Sequence, residues 1–181
     1  MVYIFLAEGF EETEAIVTVD ILRRAGINVK TVGVSGKVIT GAHGIPVVCD
    51  LNEDEISPNY KLTGIVLPGG MPGTINLEKS QTVQKFIDFA FQNNLVIGAI
   101  CAAPSILGNK GLLKGKRAVC YDGFEDRLLG AEVLHEPVCV DGKIITANGP
   151  GAVFEFGLSL ARALKDEQTA ASVEAAMKCR R

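Results

Sequence analysis

A thiol, a carboxyl and a set of bare main-chain N–H groups are the parts of this sequence that could do chemistry together. Cys101 stands between an apolar run, residues 95–100, and the small residues Ala102 and Ala103 that precede Pro104. A residue where a buried strand gives way to a helix sits on a sharp turn. Gly98, Ala99, Ala102 and Ala103 leave room for the chain to bend there. This is the arrangement of a nucleophile elbow, without the serine motif. Free N–H groups at the start of a helix would favour a thiolate and lower its pKa. The competing reading is a small apolar cysteine filling a tight corner.

The carboxyl candidate is Glu14, which continues the stripe Val17, Ile21, Ala25 toward the strand ends. On that face it would be desolvated, its pKa would rise, and it could act as a general acid or base. Periodicity does not separate it from Glu11 or Glu12, and a solvated acid at a helix start is the plainer alternative. Gly69 and Gly70 follow the apolar run of residues 64–67. With the N–H of Ala102 their main chain could form an oxyanion hole, or they could simply make a turn. The histidines are His43, in a probable hairpin turn, and His135, before a strand. Each reads as a surface residue rather than a base, and the position after Cys101 is Ala102, so no adjacent Cys-His pair exists. Tyr121 follows the run 117–120. Its hydroxyl would fall at the same edge, unless the ring is a core or rim aromatic.

These groups meet only if the surrounding elements bring them together. Apolar runs predict strands at residues 2–7, 28–34, 64–67, 95–100 and 117–120, and at 138–146 with a turn at Asp141-Gly142. Helices are expected at 12–25, 77–93, 151–164 and 166–177, with another opening at 102–107. Residues 37–40 and 45–48 read as a hairpin around residues 41–44. Strands alternating with helices, several of them apolar on both faces, predict an α/β fold: a mostly parallel sheet with helices on both faces. In such sheets functional groups gather outside the carboxyl ends of the strands. Residues 8–14, residues 68–73 and Cys101 all fall there.

The chain has 181 residues with a formal charge of −3, consistent with one domain over residues 1–181. Its basic residues are scattered, so no specific nucleic-acid partner is expected. The N-terminus has no basic signal-peptide region, and no apolar stretch approaches the roughly 20 residues of a membrane span. The expected location is cytoplasmic. None of the five cysteines lies in a C-x-x-C pair, so neither a zinc ribbon nor a thioredoxin-like redox pair is expected.

Four segments, AEGFEETEAIVTVDILRRAGI, IVLPGGMPG, AICAAPSIL and ITANGPGAVFEFGLSL, resemble the ThiJ/PfpI family, in the branch of the parkinsonism-associated protein and its bacterial relatives. The resemblance runs along nearly the whole chain. It implies a flavodoxin-like three-layer sandwich, and usually a homodimer. It implies that Cys101 is the reactive, oxidisable cysteine and Glu14 its protonated hydrogen-bond partner, which separates Glu14 from its neighbours. Gly69, Gly70 and Ala102 would line the anion pocket. The implied activity is conversion of methylglyoxal or glyoxal to hydroxy acids, or deglycation of their adducts, without metal or organic cofactor. The alternative is an oxidative-stress sensor acting through Cys101, with a chaperone-like or binding role. This chain departs from the family pattern in two places. Tyr121 stands where many members of the branch carry a histidine. His43 falls in a loop that in relatives often brings an arginine toward the site, and it is carried only as a pocket residue. Protease-like members have histidine directly after the cysteine, where this chain has Ala102, which disfavours proteolysis.

Overall fold

In the computed structural model, which describes residues 1–179, the first strand shows how the layers arise. β1 (Val2–Leu6) sends Val2, Ile4 and Leu6 into one apolar core and Phe5 into the other. A strand buried on both faces cannot show alternation, so it appears in the sequence as a continuous apolar run. β1 pairs in parallel with β2 (Val29–Gly33) on one side and β6 (Gly64–Leu67) on the other. Beyond β6 come β7 (Val96–Ile100), then β11 (Ile144–Ala147), both parallel. β10 (Val138–Asp141) closes that edge antiparallel, through the Asp141-Gly142 turn. The short β5 (Leu51–Asn52) closes the other edge. β3 (Val38–Thr40) and β4 (Pro46–Val48) form the expected hairpin apart from this sheet.

Helices α1 (Glu12–Arg24), α5 (Val153–Leu164) and α6 (Glu167–Ala176) cover one face. α2 (Gly73–Lys79), α3 (Gln81–Gln92) and the short α4 (Pro104–Asn109) cover the other. The molecule is therefore the three-layer, flavodoxin-like sandwich with a mostly parallel sheet. Each core contains large side chains sealed from water, Ile21, Leu22 and Phe156 in one and Phe5, Phe86 and Leu77 in the other. Each such burial is worth about 1.5–3 kcal/mol. α1 and α5 approach closely because position 157 is glycine: a Cβ there would lie 2.6 Å from Ile21 Cδ1. Among the described residues no helix is long and apolar enough to cross a membrane.

Two expected elements differ. The single helix over residues 77–93 is two, α2 and α3, broken at Ser80. Ser80 is extended and caps α3, accepting from the Val83 N–H at 3.2 Å while its hydroxyl donates to Glu53 Oε2 at 2.9 Å. The apolar periodicity runs across this break, but a serine side chain competes with helical main-chain bonds and starts a new helix. The strand over residues 117–120 shortens to β8 (Arg117–Ala118), which pairs with β9 (Glu132–Val133) outside the main sheet. Beyond it the Val119 N–H goes to Thr146 Oγ1 rather than to a strand.

Replacing Ser80 by alanine should cost about 1–2 kcal/mol, since it removes a helix cap and frees Glu53. Urea denaturation should show a lower midpoint with an unchanged m-value.

Candidate active site

The chain runs from β1 outward to β2, then returns to β6 on the opposite side, so a crevice opens where the strand order reverses. Glu14 lies in the first turn of α1 after β1, Gly69 and Gly70 follow β6, and Cys101 follows β7. The topology thus brings together three of the sequence segments expected there.

Cys101 occupies the left-handed region, at φ 64°, which costs a non-glycine residue free energy of about 1–3 kcal/mol. Its main chain is held on both sides. The Cys101 N–H donates to Ala147 O at 2.8 Å, and its carbonyl accepts from the Tyr121 N–H at 2.8 Å. Its side chain is wedged against Gly69, where an added Cβ would lie 2.7 Å from Cys101 Cβ and 2.8 Å from Glu14 Oε2. Gly70, at φ 88°, crosses the main chain of Gly9 to Glu11 too closely for any side chain.

Glu14 is almost fully buried. Its Oε2 accepts from the Gly69 N–H at 2.7 Å. Its Oε1 is buried with no hydrogen-bond partner, a position that penalises the ionised form. Burial pushes the carboxyl up to about 7, helped by the nearby Glu11 charge, against the pull of the Gly69 N–H and the Cys101 thiol. Burial also pushes the Cys101 thiol up to about 12, reinforced by the charge and hydrogen bond of Glu14. The N–H groups of Ala102 and Gly70 pull the thiol the other way. The two groups titrate as a pair: one proton leaves near neutrality, and the second is held far above it.

This reverses the expectation of a thiol with a lowered pKa. α4 begins only at Pro104, which has no N–H, and the Ala103 N–H is spent on Ile100 O. The helix therefore offers Cys101 little field, and a buried acid sits beside it instead. The two glycines also divide their work. The Gly69 N–H belongs to Glu14, so only Gly70 and Ala102 present N–H groups to the sulfur.

Tyr121 reaches the site through its main chain. Its ring lies against Gly149, half exposed, rather than forming a hydrogen bond to the thiol. His43 sits on the β3–β4 hairpin and belongs to a neighbouring cluster. Its N–H donates to Glu12 Oε1 at 2.8 Å, its Nδ1 is 3.0 Å from Glu12 Oε2, and Glu11 Oε2 is 3.6 Å away. The hydrogen bond to Glu12 and both carboxylate charges raise the histidine pKa. Burial alone would raise Glu12 as well, but the bonds from His43 and the main chain outweigh it and hold that carboxyl below its usual range. Among the described residues, Glu11, Glu12 and His43 form the grouping whose donor atoms lie close enough, within 4.8 Å, to share a metal ion. Their bonds to one another already account for the arrangement. The burial of Glu12 was not legible in the sequence, because the hairpin that covers it lies some thirty residues away.

An α/β sandwich with a strained cysteine at its switch point, facing a buried acid, defines the class. The chain belongs to the DJ-1/PfpI family, whose sequence profile matches residues 1–163. It is 36% identical to Protein DJ-1 homolog B of Arabidopsis thaliana over 95% of this chain, and spans about 40% of that protein's length. It is 32% identical to the glutathione-independent glyoxalase DJR-1.2 of Caenorhabditis elegans, covering 87% of this chain and 84% of that one. It is equally similar, at 32%, to a deglycase of Pyrococcus abyssi, covering 91% and 99%. Among solved structures, a cysteine-to-alanine variant of a DJ-1 superfamily protein from Salmonella typhimurium superposes with a TM-score of 0.92. It is 36% identical, over 98% of this chain and 97% of that one.

The raised Glu14 pKa sets a sign for stability. The folded state holds the Glu14 proton more tightly than the unfolded chain does, from about 4.5 to about 7. Stability from this group is therefore complete below about 4.5 and is lost as pH rises through about 7. Glu14→Gln removes that loss. Relative to wild type, the variant should be more stable at pH 8 than at pH 5, by a difference of the order of 2–3 kcal/mol, read from urea denaturation of both proteins at the two pH values.

Proposed function

We propose that this protein converts small 2-oxoaldehydes, methylglyoxal or glyoxal, to hydroxy acids without a cofactor, or removes them from their adducts. The observation that carries this reading is the buried Glu14 carboxyl beside Cys101, with the Gly70 and Ala102 N–H groups reaching the same sulfur. The names of the nematode glyoxalase and the archaeal deglycase point the same way.

The chemistry follows from the shared proton. As the Cys101 sulfur bonds to the aldehyde carbon, Glu14 takes the thiol proton and passes it to the new hemithioacetal oxygen. The Gly70 and Ala102 N–H groups hold that oxygen while it carries charge. Glu14, now a carboxylate, removes the proton on the former aldehyde carbon and returns it to the adjacent carbonyl carbon, while the hemithioacetal O–H proton passes by way of water to the oxygen on that carbon. This leaves a thioester of the hydroxy acid. Water cleaves it and restores the thiol, so the net reaction is addition of one water with no external oxidant. With tyrosine at position 121 in place of a histidine, Glu14 and water carry the protons.

One observation favours a second role. A half-buried thiol held beside an acid and two N–H donors suits an oxidised sulfinate, and a relative from Toxoplasma gondii, similar at TM-score 0.93, is described as oxidised. Within this reading the chain acts as one domain, as a cytoplasmic homodimer. Ile16 on α1 and Ile45 and Val48 on the hairpin are exposed apolar side chains that a second copy could cover.

With methylglyoxal as substrate, Cys101→Ala should abolish lactate formation. Glu14→Gln should lower kcat/KM by roughly 10²–10³-fold while Cys101 still alkylates. Wild-type turnover in both variants would refute the mechanism.

A further inference from the structure

We propose that Thr146, on β11, is a positioning residue whose buried hydroxyl, acting through the main chain of residues 119–121, aims the Ala102 N–H at the Cys101 sulfur; its part in turnover rests on the aldehyde reading above. Thr146 is 1% exposed. Its neighbours Ile145 and Ala147 face one core, and Ile144 faces the other. Alternation along the strand puts Thr146 on the Ile144 side, where Ala118 and Cys120 also pack. Valine has nearly the shape of threonine and suits such an apolar strand better, because a buried hydroxyl without a partner is costly. Here the hydroxyl has a use. Thr146 Oγ1 accepts from the Val119 N–H at 3.0 Å. Val119 is fully buried and lies one residue past the end of β8, so this hydroxyl takes the place of a strand partner.

From Val119 the contacts run on to the sulfur. Two residues later the Tyr121 N–H donates to the Cys101 carbonyl at 2.8 Å. That carbonyl and the Ala102 N–H belong to one planar trans peptide and point in opposite directions. Holding the oxygen on one side therefore aims the N–H on the other, and the Ala102 N–H is one of the two that reach the sulfur. β11 closes the ring of contacts. The carbonyl of Ala147, the residue after Thr146, accepts from the Cys101 N–H at 2.8 Å. The peptides before and after Cys101 are thus both fixed from residues 146 and 147, one directly and one through residues 119–121. Cys101 can remain at φ 64° because both are held. Without the Thr146 hydroxyl the 119–121 segment loses an anchor, and the peptide that carries the Ala102 N–H is free to turn. Because Tyr121 acts here through its main chain, the device does not depend on which side chain stands at that position.

Thr146→Val and Thr146→Ser test this together, since the first removes only the hydroxyl and the second keeps it. With methylglyoxal, Thr146→Val should lower kcat by about 10–100-fold, the scale of a misaimed oxyanion donor, and leave KM within about twofold. Thr146→Ser should stay near wild type. Alkylation by iodoacetamide, followed by peptide mass spectrometry, reads the sulfur without turnover. At Cys101 it should slow severalfold in Thr146→Val, because the thiolate loses a donor, and not in Thr146→Ser. Buried Cys49 should react alike in all three proteins. Wild-type kcat and alkylation in Thr146→Val, or equal loss in both variants, would overturn the assignment. So would faster alkylation of Cys49, which marks general loosening. A further readout needs no variant: in wild type the Val119 and Tyr121 N–H groups should exchange with solvent far more slowly than that of exposed Asp122, and equal rates would also overturn it. Slowed Cys101 alkylation in Thr146→Val, from a wild type that turns over no methylglyoxal, retires the aldehyde reading and keeps the positioning role. Wild-type turnover that Thr146→Val leaves intact retires the positioning role alone.

Discussion

Everything at the site depends on a carboxyl that has been taken out of water. Glu14 has one oxygen bonded to the Gly69 N–H and the other buried with no partner. A full negative charge there is expensive, so the proton stays on until about neutrality. That proton is what the site trades in. It restrains the thiol from ionising alone, and in the proposed reaction the same carboxyl relays the proton where sulfur meets a carbonyl. The strain at Cys101 and the absence of a side chain at Gly69 both serve the same contact, since either change would separate the sulfur from the acid.

The pair works differently from a cysteine activated by a helix. A thiolate stabilised by a helix start is always charged and always available to oxidants. Here the sulfur keeps its proton, and above neutrality the pair's one negative charge rests on Glu14, with N–H donors facing each group: Gly69 on the acid, Gly70 and Ala102 on the thiol. In the proposed reaction this balance of donors on both groups lets a substrate that accepts charge draw the proton across. The same balance accommodates an oxidised sulfur, which is why the catalytic and sensing readings rest on one geometry.

The hairpin is fastened over the acidic start of α1 by a second carboxyl with the opposite fate. Glu12 is buried like Glu14, yet it is ringed by the His43 and Ile45 N–H groups and the His43 ring, and it stays ionised. Two buried acids two residues apart on one helix are thus set to different charges by what covers them. Gly41 takes part in this, because a Cβ there would collide with the Glu12 carboxyl.

By itself the sequence determined the layers and the edge. Strands buried on both faces read as apolar runs, and their alternation with helices places residues 8–14, 68–73 and Cys101 at one end of a parallel sheet. The nucleophile elbow was legible for the same reason, as a run of small residues after a strand. The break at Ser80 was not legible, because apolar periodicity continues through a capping serine. Nor could local patterning rank Glu11, Glu12 and Glu14; only the family resemblance could do so. Tertiary structure decided which oxygen meets which N–H, and so which acid keeps its proton. It also divided Gly69 from Gly70, and it turned the expected low thiol pKa into a raised one. Those outcomes depend on desolvation and on bonds between segments far apart in the chain, which no local pattern of residues encodes.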